Sequence, residues 1–167
     1  YSPEKAANDI AKVRDLADVI IVAMHWGTEY SLNVSQQQTE IANYLSSLGV
    51  NLIIGAHPHV VEPVEYINDG KTFVIYSLGN FISAQVGIER LTGLMMEVTI
   101  KKVIDIDDSV TISIEEPKAD LTYTHTDNYK NFRVYPYSKL DNVILPNYMN
   151  YYEYYKGIVS SRYPELI

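Results

Sequence analysis

The chain opens with a helical pattern that is followed by a strand-like one. Ser2 and Pro3 form a typical helix start, with serine as the N-cap and proline at the first helical position. Every residue from Val19 to Met24 is apolar, which predicts a central strand buried on both faces. Apolar residues between them recur at helical spacing at Ala6, Ile10, Val13 and Ala17.

The same order repeats in the next segment. Ser35 and Gln38 have the spacing of a capping box, and Gly49 is a favoured residue just beyond a helix end. A second apolar strand is predicted at Asn51–Ile54. Residues 2–54 therefore predict an αβαβ unit with two parallel strands joined by a right-handed crossover. The apolar face of the second helix consists of Ile41, Leu45 and Leu48.

The pattern then changes to one typical of antiparallel strands. Val64–Ile67 and Thr72–Tyr76 flank Asn68-Asp69-Gly70, a hairpin turn sequence. Two later segments alternate apolar and other residues on either side of a polar connection at 105–109. The alternating residues are Leu94, Met96, Val98 and Ile100, then Val110, Ile112 and Ile114.

From Asp120 onward the sequence is irregular and rich in tyrosine, and it predicts an extension rather than a second domain. We predict one domain over residues 1–119 and an extension over residues 120–167 that packs on it. Three interpretations of its tyrosines stay open: a helix that covers the sheet, an interface to another subunit, or a stacking surface for a polymer. Helical spacing is found at Tyr148, Tyr151, Tyr152 and Tyr155.

Composition excludes several classes of function. The net charge is −8 and cationic residues do not cluster, so we expect no nucleic-acid partner. The absence of cysteine excludes disulfides and thiolate metal sites. The chain begins with Tyr1 rather than methionine and enters a helix at once, so we interpret it as a fragment or a processed product.

Three histidines follow the two predicted parallel strands. His25 comes after the first strand, and His57 and His59 come after the second in Gly55-Ala56-His57-Pro58-His59. Ligands of open α/β sheets bind beyond the carboxyl ends of the strands, so we expect the three imidazoles to converge at one edge. Because imidazole is the commonest metal ligand, one hypothesis is a metal site. The other is a set of hydrogen-bonded loop histidines without metal.

Other polar residues accompany these histidines. Glu29 is interpreted as a partner that orients an imidazole, as a general acid, or as a solvated loop residue. Asn80 either directs its amide at the same edge or is a turn residue. Glu62 or Glu65 either orients an imidazole or is exposed. His125 shows no partner pattern in the sequence and is predicted to be a surface histidine.

Three ordered motifs resemble those of a known family. They are His25–Tyr30 (HWGTEY), Gly55–Val60 (GAHPHV) and Tyr76–Phe81 (YSLGNF). In this order they resemble the three late motifs of the bacterial capsule-synthesis CapA/PgsA family, which belongs to poly-γ-glutamate synthesis. That family has a calcineurin-like metallophosphoesterase fold. The resemblance extends over roughly residues 3–104.

The resemblance implies a fold and a site. The fold would be α/β, the C-terminal portion of a metallophosphoesterase-like αββα sandwich, with parallel strands followed by antiparallel hairpins. His25, His57 and His59 would be ligands of divalent metal ions (Mn, Fe or Zn), with Glu29 and Asn80 as catalytic residues. The aspartates and the asparagine–histidine pair of the early motifs have no match here and are expected upstream of Tyr1. The site is then incomplete, and we expect negligible phosphoesterase activity from this chain alone.

The resemblance also implies a role and partners. It implies the biosynthesis, export or anchoring of an anionic capsule polymer such as poly-γ-glutamate, by metal-assisted hydrolysis or transfer. Expected partners are the upstream N-terminal half of the same protein, the polymer, and further copies of this chain through an uncovered strand edge or the tyrosine-rich tail. The expected location is the extracellular face of the membrane, with the anchor outside this chain. The alternatives are a non-catalytic scaffold or binding module of a cell-surface polymer-synthesis complex, and a cytosolic phosphoesterase unrelated to capsule.

Overall fold

The computed structural model describes residues 1–166 and folds them into two sheets with helices around them. This confirms the α/β class, with parallel strands preceding antiparallel hairpins. The helices are α1 (Pro3–Val13), α2 (Gln36–Ser47), α3 (Ile88–Leu91) and α4 (Tyr148–Val159). The strands are β1 (Ile21–His25), β2 (Leu52–Ala56), β3 (Val64–Ile67), β4 (Thr72–Ile75), β5 (Thr92–Ile104), β6 (Val110–Asp127) and β7 (Lys130–Pro136). Single turns of 3₁₀ helix cover Tyr137–Lys139 and Pro164–Leu166.

The predicted αβαβ unit is present. The Ser2 hydroxyl accepts the first cap bond of α1, and Ser35 with Gln38 forms both bonds of the capping box that starts α2. β1 and β2 pair in parallel, with His25 opposite Ala56 at the end of the ladder. α1 ends at Val13 rather than continuing toward residue 17, because the Arg14–Leu16 segment forms a turn.

The position predicted for the first strand is wrong in one respect. The order of the first sheet is β1-β2-β4-β3, so β1 is an edge strand and not a central one. Its residues alternate between exposed and half-buried, and Ile21 is 49% exposed. The apolar composition of β1 favours burial on both faces, but among residues 1–166 only β2 pairs with this strand.

The rest of the first sheet follows the sequence pattern. β2 pairs in parallel with β4, and β4 pairs with β3 as the predicted hairpin. The backbone of Asn68, Asp69 and Gly70 is left-handed, as the hairpin turn requires. The chain passes from the first sheet to the second through α3, a single turn that ends at Leu91. β5 begins at the next residue.

The second sheet has the order β5-β6-β7, with both pairs antiparallel. The predicted irregular structure after Asp120 is wrong, because β6 continues to Asp127 and β7 follows it. Threonine and tyrosine favour strands, and Leu121 to Thr124 are all buried in β6. The predicted domain boundary between residues 119 and 120 falls inside this strand. At the other end of the β5–β6 hairpin, every residue from 99 to 111 is exposed.

The first sheet lies between two apolar layers. α1 and α2 cover one face, where Ile10, Leu45, Ile53 and Val74 belong to one buried cluster. The second sheet and α4 pack toward the other face. Buried residues of that second cluster include Leu52, Phe73, Ile75, Leu121, Tyr123, Tyr137, Tyr155 and Val159. The predicted tyrosine helix is therefore α4, and it packs within the chain through Tyr155 and Val159.

An open apolar groove of about 1040 Å³ separates parts of the two sheets. Ile54 and Ala56 of β2 line one side, and Met95 of β5 with Ala119 of β6 lines the other. Phe81 lies at the same groove and is 60% exposed. Among the helices of residues 1–166, none has the length and apolar character needed to cross a membrane.

Candidate functional site

The three histidines converge, as predicted, beyond the carboxyl ends of the parallel strands. The ring centroids of His25 and His57 are 4.5 Å apart, and those of His57 and His59 are 6.3 Å apart. His25 ends β1, while His57 and His59 lie in the bend after β2. The convergence follows from the parallel register, which aligns the last residues of β1 and β2.

The backbone of this bend is unusual. His57 has φ 107° and His59 has φ 63°, and both values lie in the left-handed region that side chains rarely adopt. Tyr30, on the loop after β1, has φ 65°, and its amide donates a 2.7 Å hydrogen bond to the Pro58 carbonyl. Such conformations persist only where surrounding contacts hold them, and they concentrate at functional sites.

Next to the histidines, the end of β2 packs closely against the segment that follows β4. The Trp26 indole is buried and donates a 2.8 Å hydrogen bond to the Tyr76 carbonyl. A Cβ on Gly55 would overlap that carbonyl oxygen and would lie 2.5 Å from the indole nitrogen. Only glycine fits here, so Gly55 sets how closely β2 approaches the strand that follows it in the sheet.

Asn80 contacts His59 directly. Its Oδ1 lies 3.0 Å from His59 Nδ1, while its Nδ2 donates to the carbonyl of Arg90 at 2.9 Å and to Gln85 Oε1 at 3.1 Å. Because the Arg90 carbonyl can only accept, the amide nitrogen is fixed on that side and Oδ1 must face the imidazole. His59 therefore carries its proton on Nδ1, which leaves the lone pair of Nε2 available. The predicted amide at this edge is present, and it acts by orienting His59.

Within residues 1–166, the candidate acids Glu29 and Glu65 make no hydrogen bond to the three imidazoles. Glu29 is exposed, and within residues 1–166 its carboxylate has no hydrogen bond to an imidazole. Glu65 accepts from the Tyr76 hydroxyl at 2.7 Å and pairs with Arg162. His125 lies half-buried on β6 with its Nε2 3.1 Å from Asp127 Oδ1, a contact that no pattern in the sequence indicates.

Glu62 is fully buried, and neither interpretation of it from the sequence is right. Its Oε2 accepts a 2.7 Å hydrogen bond from Gln38 Nε2, and its Oε1 has no partner among the described residues. Burial raises the pKa of this carboxyl from 4.5 to about 7, against the lowering effects of Gln38 and Arg162. Gln38 also fills the space above Gly27 on the histidine loop, so Glu62 supports that loop indirectly.

The donor set fits part of a metal centre. In the part of the chain that is described, no group of three or more His, Cys, Asp or Glu side chains forms a set that could hold a metal ion. The ring spacings explain this. A metal bound at about 2.1 Å from nitrogen lies roughly 3.2 Å from an imidazole centroid, so two rings on one ion have centroids at most about 6.4 Å apart. The 4.5 Å pair of His25 and His57 fits one ion, whereas His59 at 6.3 Å would share it only from the opposite side.

The fold and the placement of the histidines define an α/β protein with a candidate ligand site at the carboxyl edge of its parallel strands. The chain belongs to the family described as bacterial capsule synthesis protein PGA_cap, whose sequence model matches residues 1–85. The matched stretch contains His25, His57, His59 and Asn80.

Two curated relatives support this assignment. The PGA biosynthesis protein CapA of Bacillus subtilis (strain 168) is 35% identical over 100 residues, which cover 60% of this chain and 26% of that protein. The capsule biosynthesis protein CapA of Bacillus anthracis is 35% identical over 88 residues, which cover 50% of this chain and 21% of that protein. The matched part thus spans about a quarter of the length of these relatives.

Three residues around the site are not indicated by any pattern in the sequence. Tyr30 belongs to one of the three motifs, but nothing in its spacing indicates that its ring stacks on His59. Arg90 belongs to no motif, and it reaches the site through Tyr30. Gln38 was identified only as a capping residue, although its amide also binds Glu62.

Proposed function

We propose that this chain forms part of a protein for the biosynthesis, export or anchoring of an anionic capsule polymer such as poly-γ-glutamate. Family membership and two relatives named for PGA or capsule biosynthesis support this role. We further propose that the chain contributes imidazole ligands to a metallophosphoesterase-like site. The observation that carries the site is the convergence of His25, His57 and His59 at the carboxyl edge of parallel strands.

The chain's own residues have distinct roles in this proposal. His25 and His57 would hold one divalent ion (Mn, Fe or Zn), and His59, whose tautomer Asn80 fixes, would offer its Nε2 as a further ligand. Glu29 is exposed on the same loop as His25, where it can exchange protons with a leaving group as a general acid. A divalent ion at this position supplies Lewis-acid polarisation of a scissile group.

The remaining ligands and the cover of the exposed surfaces are proposed to come from the upstream half of the same protein. The uncovered β1 edge with exposed Ile21 and the apolar groove beside Phe81 support this proposal. We place the protein at the extracellular face of the membrane, anchored by a segment outside this chain. Within residues 1–166 no set of three or more His, Cys, Asp or Glu side chains could hold a metal ion, so we expect no appreciable turnover from the chain alone.

Metal titration tests the site. Calorimetric titration of Mn²⁺ or Zn²⁺ into the chain should show binding that His57→Ala weakens roughly tenfold or more, because this ring lies nearest both others. The matched control is His125→Ala, which removes an imidazole on β6 and should leave the affinity unchanged. Absence of saturable binding, or equal loss in both variants, would contradict the proposed site.

A non-catalytic scaffold is the second candidate function. The lack of a three-residue metal-holding set within residues 1–166 favours it. The two candidates differ in cells that carry the whole protein with His57→Ala. Loss of polymer production supports a catalytic metal site, whereas normal production by a variant that has lost metal binding supports the scaffold.

A further inference from the structure

A cation lies beside the histidine cluster in a stack of three planar groups. The Arg90 guanidinium carbon lies 4.8 Å from the centroid of the Tyr30 ring. The Tyr30 ring lies 5.9 Å from the His59 ring, with an angle of 28° between their planes. A guanidinium over an aromatic face has its plane restricted by the ring. The Tyr30 ring therefore connects the Arg90 cation to His59, one of the three converging imidazoles.

Backbone contacts build this stack from three separate segments. The Tyr30 amide donates to the Pro58 carbonyl at 2.7 Å, which joins the loop after β1 to the bend that carries His57 and His59. The Asn80 side chain contacts both the Arg90 carbonyl and the His59 ring. One amide thus fixes the backbone of the cation and the orientation of the imidazole together.

The Arg90 guanidinium retains unused donors. Its Nε and Nη2 both donate to a single oxygen, Glu89 Oε1, at 3.2 and 3.0 Å. Within residues 1–166, Nη1 has no acceptor. The two side chains are 31% and 37% exposed, and an ion pair in such contact with solvent contributes little. Glu89 therefore occupies one edge of the guanidinium without locking it, and the other edge stays open to a ligand.

The charge distribution makes this cation distinctive. The chain carries a net charge of −8, so an anionic ligand needs a local positive group to approach it. Arg14 donates to carbonyls at the end of α2, and Arg162 pairs with Glu65. Arg90 contacts the Tyr30 ring, and that ring stacks on the His59 ring.

We propose that Arg90, held over Tyr30, binds an oxyanion of the substrate beside the three imidazoles. The ligand group is a carboxylate or a phosphoryl group, because a guanidinium edge matches two oxygens of either one. Glu89 competes with this ligand for the guanidinium. The inference rests on the proposed function, in which the substrate is an anionic polymer, and it adds the residue that recognises the charge.

Anion titration of the metal-depleted chain tests the proposal. After passage over chelating resin, the chain is titrated separately with sodium phosphate and with a short γ-linked glutamate oligomer, and the backbone amide resonances of Tyr30 and Asn80, which every variant retains, are followed by NMR. Arg90→Ala should weaken binding roughly tenfold, with Arg90→Lys intermediate because it loses the planar fork. The probe that binds more tightly identifies the ligand as phosphoryl or carboxylate.

Two further variants make the test specific. Glu89→Gln keeps Arg90 and removes its competitor, so it should tighten binding by about threefold. Arg133→Ala removes an equivalent charge from exposed β7 and should leave the affinity within about twofold of the parent chain. The proposal is overturned if the parent chain shows no saturable shift, or if Arg90→Ala binds as Arg133→Ala does. Because these titrations contain no metal, they succeed or fail independently of the metal titration.

Discussion

Glu62 is the residue with the most perturbed environment near the candidate site. It is fully buried, its Oε1 has no partner within residues 1–166, and its pKa is raised to about 7. A raised carboxyl pKa means that the folded chain holds this proton more tightly than the unfolded chain does. Folding is therefore disfavoured at pH values where this carboxyl is ionised in the unfolded chain. Because Glu62 binds Gln38, and Gln38 fills the space above Gly27, the destabilised contact is one that supports the histidine loop.

The pH dependence of stability follows from this pKa. Below pH 4.5 the carboxyl is protonated in both states, and between 4.5 and 7 the unfolded chain releases the proton first. The free energy of unfolding should therefore fall by about 3 kcal/mol across this window and stay lower above it. Glu62→Gln should remove the fall, as measured by urea unfolding at pH 4 and pH 8, on either side of the window. The exposed Glu153→Gln on α4 is the control, and an identical pH profile in all three proteins would contradict the assignment.

At the residue scale, the sequence predicted the positions of side chains that follow directly from where the parallel strands end. His25, His57 and His59 could be placed together because the parallel register fixes their edge. Glu62, Gln38, Tyr30 and Arg90 could not, because their contacts join segments whose distance depends on loop geometry. The contact between Asn80 and His59 spans 21 positions of sequence and leaves no periodic pattern.

At the scale of elements, the close packing of β2 against the segment after β4 depends on one glycine. The Tyr76 carbonyl and the Trp26 indole occupy the space where a Cβ of Gly55 would lie. Since both groups belong to the ordered core, neither can move as the end of a flexible side chain can. The approach of β2 to the segment after β4 therefore tolerates no added atom.

Gly55→Ala should destabilise the chain by about 2–3 kcal/mol, because it forces the two strands apart in a packed core. The measurement is urea unfolding, together with the NMR positions of the His25 and His57 rings. Gly157→Ala is the matched control, since a Cβ added to this residue of α4 would meet nothing within 4 Å. It should stabilise the chain by roughly 0.5–1 kcal/mol, because alanine is the better helix former. Equal effects of the two substitutions on stability would rule out the close packing at Gly55 as the cause of the destabilisation.

The elements themselves were predictable to different degrees. Helix caps at Ser2 and Ser35 and the turn at Asn68-Asp69-Gly70 are local, and all three are found where the sequence predicts them. The sequence predicts an uncovered edge at one of the two parallel strands, but the apolar composition of a strand does not indicate which of the two it is. β7 was missed because its residues alternate weakly and its partner, β6, was predicted to end earlier.

At the scale of the whole molecule, one side of the first sheet stays uncovered. β1 has a free backbone edge next to exposed Ile21, and the apolar groove opens between the sheets. Edges of this kind pair with other chains when no device blocks them. The same surface would therefore be available for the proposed contact with the upstream half, or for a contact between copies when this chain is alone.

Self-association through this edge is expected for the isolated chain. Its mass from light scattering should rise with concentration, and Ile21→Lys should suppress the rise because an edge lysine opposes strand pairing. Val143→Lys introduces the same charge at a turn residue that is 90% exposed, and it should not suppress association. A constant monomer mass at high concentration, with a cooperative melt, would mean that the chain already closes its own core.

The exposed end of the β5–β6 hairpin alters the ratio of surface to mass. A compact monomer of 19.0 kDa is expected to expose about 8,400 Å², whereas this chain exposes 9497 Å². The difference of about 1,100 Å² exceeds the roughly 800 Å² that each partner loses in a standard protein–protein interface. Every residue of this hairpin from 99 to 111 is exposed, so the hairpin contributes to the surplus. The chain can therefore give up the area of a full interface and still keep the solvent-exposed surface normal for its mass.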